Sequence, residues 1–251
     1  MKIKDIEGFV LQSKKDYTNP QGSEEASGVA YCFLLKVTTD EGIVGWSDVE
    51  TAPHVAASII NAPSTGSGFL EGLRELVIGE DPFETERLWD KIYRGTVYYG
   101  RRGVAIQVLS GFDIACYDII GKAFNVPVYK LLGAGYRDKV RAYASTLFRP
   151  TPYDMKKACE YYLSKGFTAI KFGWGVFGEN RKNDIALVKA ARETIGNDVD
   201  LMVDAGWRYN KSAYDVVELL RALEEYNIYW LEDFLHPECY EGYKKVKFTS
   251  I

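Results

Sequence analysis

RAYASTLF (141–148), TAIKFGWG (168–175), DLMVDAG (200–206) and IYWLEDFL (228–235) are four short apolar runs in the second half of a 251-residue chain. They begin roughly 30 residues apart, the length of one strand–helix unit. Each is followed by apolar residues at helical spacing, over about 153–165, 181–196, 212–226 and 238–247. Strands and helices that alternate at this period form parallel sheets with right-handed crossovers. A doubly wound sheet and a (β/α)8 TIM barrel both fit. No G-x-G-x-x-G and no Walker motif follows any run, so a nucleotide-binding doubly wound fold has little support.

In such arrays the side chains at the C-terminal strand ends face the mouth where chemistry is done. Lys171 lies in the second run, Asp204 in the third and Glu232 in the fourth. They are about one unit apart, which predicts that they converge at a similar height on neighbouring strands. A single acid at a strand end is commonly a helix cap or an ion-pair partner. Three such residues on consecutive strands favour chemistry. Carboxylate oxygens suit a hard cation such as Mg²⁺, which takes oxygen ligands and keeps several waters. A lysine beside a metal has its charged form disfavoured and can act as a base. Metal and base together remove a proton next to a carboxylate, the metal stabilising the enediolate that forms.

The first half reads differently. Residues 2–10 alternate like a strand, and 30–39 (AYCFLLKVTT) and IVGWSDVE form two more, joined by an Asp40-Glu41-Gly42 turn as an antiparallel hairpin. Residues 11–29 read as a polar, mobile loop, and a second loop carries Pro53 and His54. Helical patterning follows. Asn61 to Gly68 is a break, and Asp81-Pro82 opens PFETERLWDKIYRG with Pro near the first helical position. Trp89 falls among Leu88 and Ile92 and is expected in the core. Tyr98 and Tyr99 are expected to pack in the core or against a neighbouring domain. Residues 103–124 form a long apolar helix, and Pro127 starts a short one, VYKLLGAG.

Composition narrows the class. Hydrophobic residues make up 47% and charged residues 26%, as in globular proteins. The net charge of −4 argues against nucleic acid as the main partner. The four cysteines form no C-x-x-C pair, so a zinc or thioredoxin-like site is not indicated. The N-terminus has no signal-peptide pattern, and no run approaches a membrane span. A cytoplasmic location and no membrane partner are the expectations.

The segment GRRGVAIQVLSGFDIACYDIIGKAFNVPVYKLLGAG (100–135) resembles the hinge region of the mandelate racemase and muconate lactonizing enzyme group of the enolase superfamily. There a similar helix and G-K-x-x-x-x-P-x-x-x-L-L-G join a capping α+β domain to a barrel. LMVDAG and WLEDFLHPE resemble the group's third- and fourth-strand metal motifs. The resemblance covers essentially the whole chain. It implies an α+β capping domain over 1–125, with a three-stranded antiparallel sheet, and a partial TIM barrel of about four βα units over 126–251. Asp204 and Glu232 match the first two of three Mg²⁺ ligands. Lys171 matches the first lysine of the second-strand K-x-K motif. GRRG and DIACYDIIGK look most like the sugar-acid dehydratases of the group, which remove water to give a 2-keto-3-deoxy product. The implied substrate is a small carboxylate, a sugar acid; racemisation and cycloisomerisation are the neighbouring chemistries.

Two positions depart from the group's pattern. Gly173 stands where a second lysine, the usual base, is often found, which moves Lys171 towards a substrate or electrostatic role. Gly206 stands where Asn is common. Trp207 and Arg208 follow as candidate substrate contacts, Arg208 for the carboxylate. His54 lies in a loop that in the group reaches over the substrate, and His236 is expected at the edge of the mouth. The third ligand, a Glu on a fifth strand, is expected just after KVKFTSI, where the chain stops. The expectation is a C-terminally truncated barrel with two open edges. It would need a complementing C-terminal half or a homo-oligomer, and alone would bind magnesium weakly and turn over negligibly. A non-catalytic binding protein built on the same elements is the alternative.

Overall fold

The computed structural model describes residues 1–12, 31–133, 135–209 and 212–249, with backbone only for 248 and 249. The expected loop at 11–29 falls almost entirely outside them. Two compact units divide between Asp138 and Lys139.

In the first unit β1 (Ile3–Gln12), β2 (Tyr31–Thr39) and β3 (Val44–Val49) form an antiparallel sheet in that order. The two-residue period of a strand gives the sheet its buried face. Phe33, Leu35 and Val37 of β2 are fully buried, and Cys32, Leu34 and Lys36 between them are not. The buried face packs on α1 (Pro53–Asn61) and α4 (Val104–Phe124). Val108, Phe112, Ala115 and Ile119 recur at helical spacing along the buried side of α4. Asp118 on the same helix accepts the Trp46 backbone N–H of β3 at 2.9 Å. At 21 residues, α4 is long and apolar enough to cross a membrane by length and composition, contrary to expectation.

Two further readings need correction, those of Pro82 and Trp89. The helix α2 (Leu73–Val77) is followed by α3 (Thr85–Gly95), so Pro82 sits in the preceding turn, where the Glu84 N–H meets the Asp81 carbonyl. Trp89 is 42% exposed and stacks on Tyr93 outside the core, which Leu88 and Ile92 enter. Tyr98 is exposed against Phe69, and the half-exposed Tyr99 donates its hydroxyl to the Glu71 carbonyl. The short α5 (Val128–Leu131) lies against α4 in the first unit, so the compact division comes later than a 125/126 boundary.

The second unit realises the repeat. The strands β4 (Ala144–Leu147), β5 (Ala169–Gly173), β6 (Asp200–Asp204) and β7 (Ile228–Glu232) form a parallel sheet in chain order. Between and after them run α6 (Pro152–Ser164), α7 (Arg181–Ile195), α8 (Ala213–Leu223) and α9 (Tyr240–Thr249). Thr151, Asn180 and Ser212 cap α6, α7 and α8 by accepting backbone N–H groups of the first turn. Ile170, Phe172, Leu201 and Val203 belong to the core that Leu187, Val188, Val216 and Leu219 complete from the helices. The alternate residues, Lys171, Asp204 and Glu232 among them, share the opposite face of the sheet.

One buried cation ties the lower end of this unit together. Arg192 of α7 is 7% exposed. Its guanidinium donates to the carbonyls of Tyr226, Gly196, Val199 and Asn227 at 2.7–2.8 Å. These acceptors lie just before β6 and β7, so one side chain fixes where both strands start. Replacing it leaves four part-buried carbonyls short of a donor. Arg192→Met is expected to lose about 3 kcal/mol or more of unfolding free energy by urea titration. Arg192→Lys should recover little, because an ammonium cannot span the same carbonyls.

Candidate metal and carboxylate site

Parallel register sets the height of each side chain at the upper end of the sheet. Gly173 pairs with Asp204, and Asp204 with Glu232. Lys171 pairs with Met202, and Met202 with Trp230, one pleat lower. Lys171 therefore does not share the height of the two acids, as the spacing predicted. Its long side chain reaches up to them. Its ammonium lies 2.9 and 3.0 Å from the two Glu232 oxygens and 3.5 Å from Asp204 Oδ2. It also sits 5.9 Å from the centre of the Tyr143 ring.

The acids are held by further donors. Asp204 Oδ1 accepts the Gly206 N–H at 3.0 Å, and Oδ2 accepts the Trp174 indole N–H at 3.2 Å. Glu232 Oε2 accepts the Trp230 indole N–H at 3.1 Å. Asp233 joins the pair: one oxygen from each of Asp204, Glu232 and Asp233 lies within 4.8 Å of the others. Trp174, Trp207 and Asp233, which follow β5, β6 and β7, all have left-handed backbones, with φ of 53°, 62° and 50°. Such conformations are costly for bulky residues and gather at functional sites.

Burial favours loss of the Lys171 proton. The hydrogen bonds it donates to Glu232 and the charges of Glu232 and Asp204 outweigh burial, and the ammonium is held above the ordinary lysine range. The same arrangement tests the fit of a metal. Carboxylate oxygens alone, close together and already gathered about one positive charge, fit a hard divalent cation.

Gly173 also has a physical reason. A Cβ built there would lie 2.9 Å from Asp204 Cβ and 3.2 Å from its Cγ. No second lysine fits at that strand end unless Asp204 moves.

The remaining candidates are placed as follows. Trp207 meets Trp174 edge-on, with ring centres 5.6 Å apart. Arg208 lines a cleft with Gly178, Arg181, Tyr209 and Asp215, away from the Lys171 cluster. His54 begins α1 in the first unit, against the Tyr31 ring. His236 Nδ1 accepts the Glu238 N–H just beyond β7. Sequence reasoning missed Trp174, Trp230 and Asp233. Trp174 carried one signal, an aromatic between two glycines immediately after a strand that bears a candidate site residue.

Removing Lys171 leaves the buried Asp204 and the partly exposed Glu232 carboxylates without their cation. Lys171→Met is expected to cost about 3 kcal/mol, discounted for the solvent that screens Glu232. Millimolar Mg²⁺ should raise the urea midpoint of the variant more than that of the wild type.

Comparison with known proteins identifies the family of the chain. Residues 9–133 match the family described as mandelate racemase / muconate lactonizing enzyme, N-terminal domain, and residues 154–251 match the enolase C-terminal domain-like family. D-galactarolactone cycloisomerase of Agrobacterium fabrum is 32% identical over 98% of this chain and 62% of its own length. Arabinonate dehydratase of Saccharolobus solfataricus is 40% identical over 64% of this chain and 43% of its own length. The crystal structure of the 3,6-anhydro-D-galactonate cycloisomerase from Zobellia galactanivorans superposes with a TM-score of 0.84 at 29% identity, covering all of this chain and 63% of that one. The chain thus spans less than two thirds of the length of these relatives. With its enolase-like N- and C-terminal domains and its acidic cluster on a parallel sheet, it belongs to the mandelate racemase / muconate lactonizing enzyme group of the enolase superfamily, close to the sugar-acid dehydratases.

Proposed function

We propose that this chain serves in the Mg²⁺-dependent dehydration of a sugar acid. The observation that carries the reading is the Lys171 ammonium held between Asp204 and Glu232 at adjacent strand ends. Asp204 and Glu232, with Asp233 in reach, would hold the ion, which when bound supplies positive charge to the carboxylate oxygens of the substrate as the neighbouring carbon loses its proton. Lys171 keeps its own proton and offers a second positive charge to the same carboxylate. Trp207 and Trp174 form an aromatic wall beside it. The α-proton leaves to a base, for which Gly173 offers no side chain. The β-hydroxyl then takes up a proton and departs as water, and the enol left behind ketonises to a 2-keto-3-deoxy acid.

We read the four-stranded sheet as part of a (β/α)8 barrel. Among the described residues β4 and β7 are its edges. Beside β7 lies an open groove lined by Leu220, Leu231, Phe234, Tyr240, Tyr243 and Val246. A bare edge flanked by apolar surface supports the addition of a further parallel strand–helix unit, from a longer chain or a complementing polypeptide.

Cycloisomerisation is the second reading. It is supported by the cycloisomerase relative, which aligns with nearly the whole chain, as several dehydratases also do. A panel of aldonic acids with Mg²⁺ separates the two. Dehydration predicts a 2-keto acid, formed only with the metal and reduced about a hundredfold or more by Asp204→Asn. Lactone opening or epimerisation without a keto product would overturn the assignment.

A further inference from the structure

Trp174 grips Asp204 twice. Its backbone N–H donates to the Asp204 carbonyl at 3.2 Å, and its indole N–H donates to Asp204 Oδ2 at 3.2 Å. A left-handed backbone carries it there, at φ 53°, a conformation that aromatic residues seldom adopt. The chain also keeps the space clear. Gly206 has φ 52°, and a Cβ there would lie 2.9–3.3 Å from three atoms of the Trp174 indole. Trp207 meets the same ring edge-on. The loops after β5 and β6 are thus interlocked about one hydrogen bond to one carboxylate.

We propose that Trp174 is a positioning residue for the Asp204 carboxylate, and that Gly206 serves to admit its indole. The inference rests on the reading of Asp204 as a metal ligand. Groups that hydrogen-bond a ligand from behind fix its rotamer and strengthen metal binding. An indole suits this task. It has a donor and no acceptor, it does not titrate, and it cannot itself compete for the cation. It also leaves Asp204 Oδ1 held independently by the Gly206 N–H, so both oxygens have a set direction.

Mn²⁺ binding to the full chain, followed by the electron paramagnetic resonance of the free ion, tests this without turnover. Asp204→Asn is expected to remove most of the binding. Trp174→Phe keeps the ring and loses the donor, and should weaken binding about tenfold with an unchanged circular dichroism spectrum. Gly206→Ala pushes a methyl into the ring and should weaken it too. Wild-type affinity in Trp174→Phe, with binding lost in Asp204→Asn, overturns the positioning role and leaves the ligand reading intact. Wild-type affinity in Asp204→Asn, or no binding by the wild type, overturns the ligand reading and the inference with it. If Trp174→Phe does not fold, Gly206→Ala decides: unchanged affinity there overturns the proposal.

Discussion

Two carboxylates that end adjacent parallel strands repel each other, and the Lys171 ammonium is what lets β6 and β7 finish side by side. At an effective dielectric near 20, like charges about 4 Å apart cost on the order of 4 kcal/mol. That is a large share of a domain's stability. Lys171 reaches the pair from the row below on β5, and it is itself almost buried. The upper end of the sheet is consequently assembled around positive charge. A divalent ion entering there meets acids already turned towards a cation, and only the resident charge has to yield.

The lower end is fixed by different means. Arg192 holds four backbone carbonyls with a group that stays protonated at any physiological pH, and its acceptors do not titrate. The upper end changes its charge with its ligands, while the lower end holds the strands in register throughout. This separation agrees with the general division of α/β arrays, where strand C-termini carry chemistry and the opposite face carries stability.

Much of this was legible in the sequence. A period of roughly 30 residues marked the four strands, and apolar residues at helical spacing marked the helices between them. Lys171, Asp204 and Glu232 stood out because ionisable side chains inside apolar runs have few structural uses. Their relative height did not follow from spacing, because register depends on which residues pair across strands. Arg192 was hidden because a lone cation in an amphipathic helix reads as solvated. Trp89 was misjudged for a related reason. It directly follows Leu88, so it is turned about 100° from the stripe that Leu88 and Ile92 share. Trp174 escaped because the value of its indole depends on a contact with a residue thirty positions away.

Gly173 has a consequence for how this site can change over generations. Its missing side chain leaves the room that the Asp204 carbon skeleton now fills. A side chain at position 173 requires the Asp204 side chain to shift, so the residue at 173 and the present placement of that carboxylate are coupled choices.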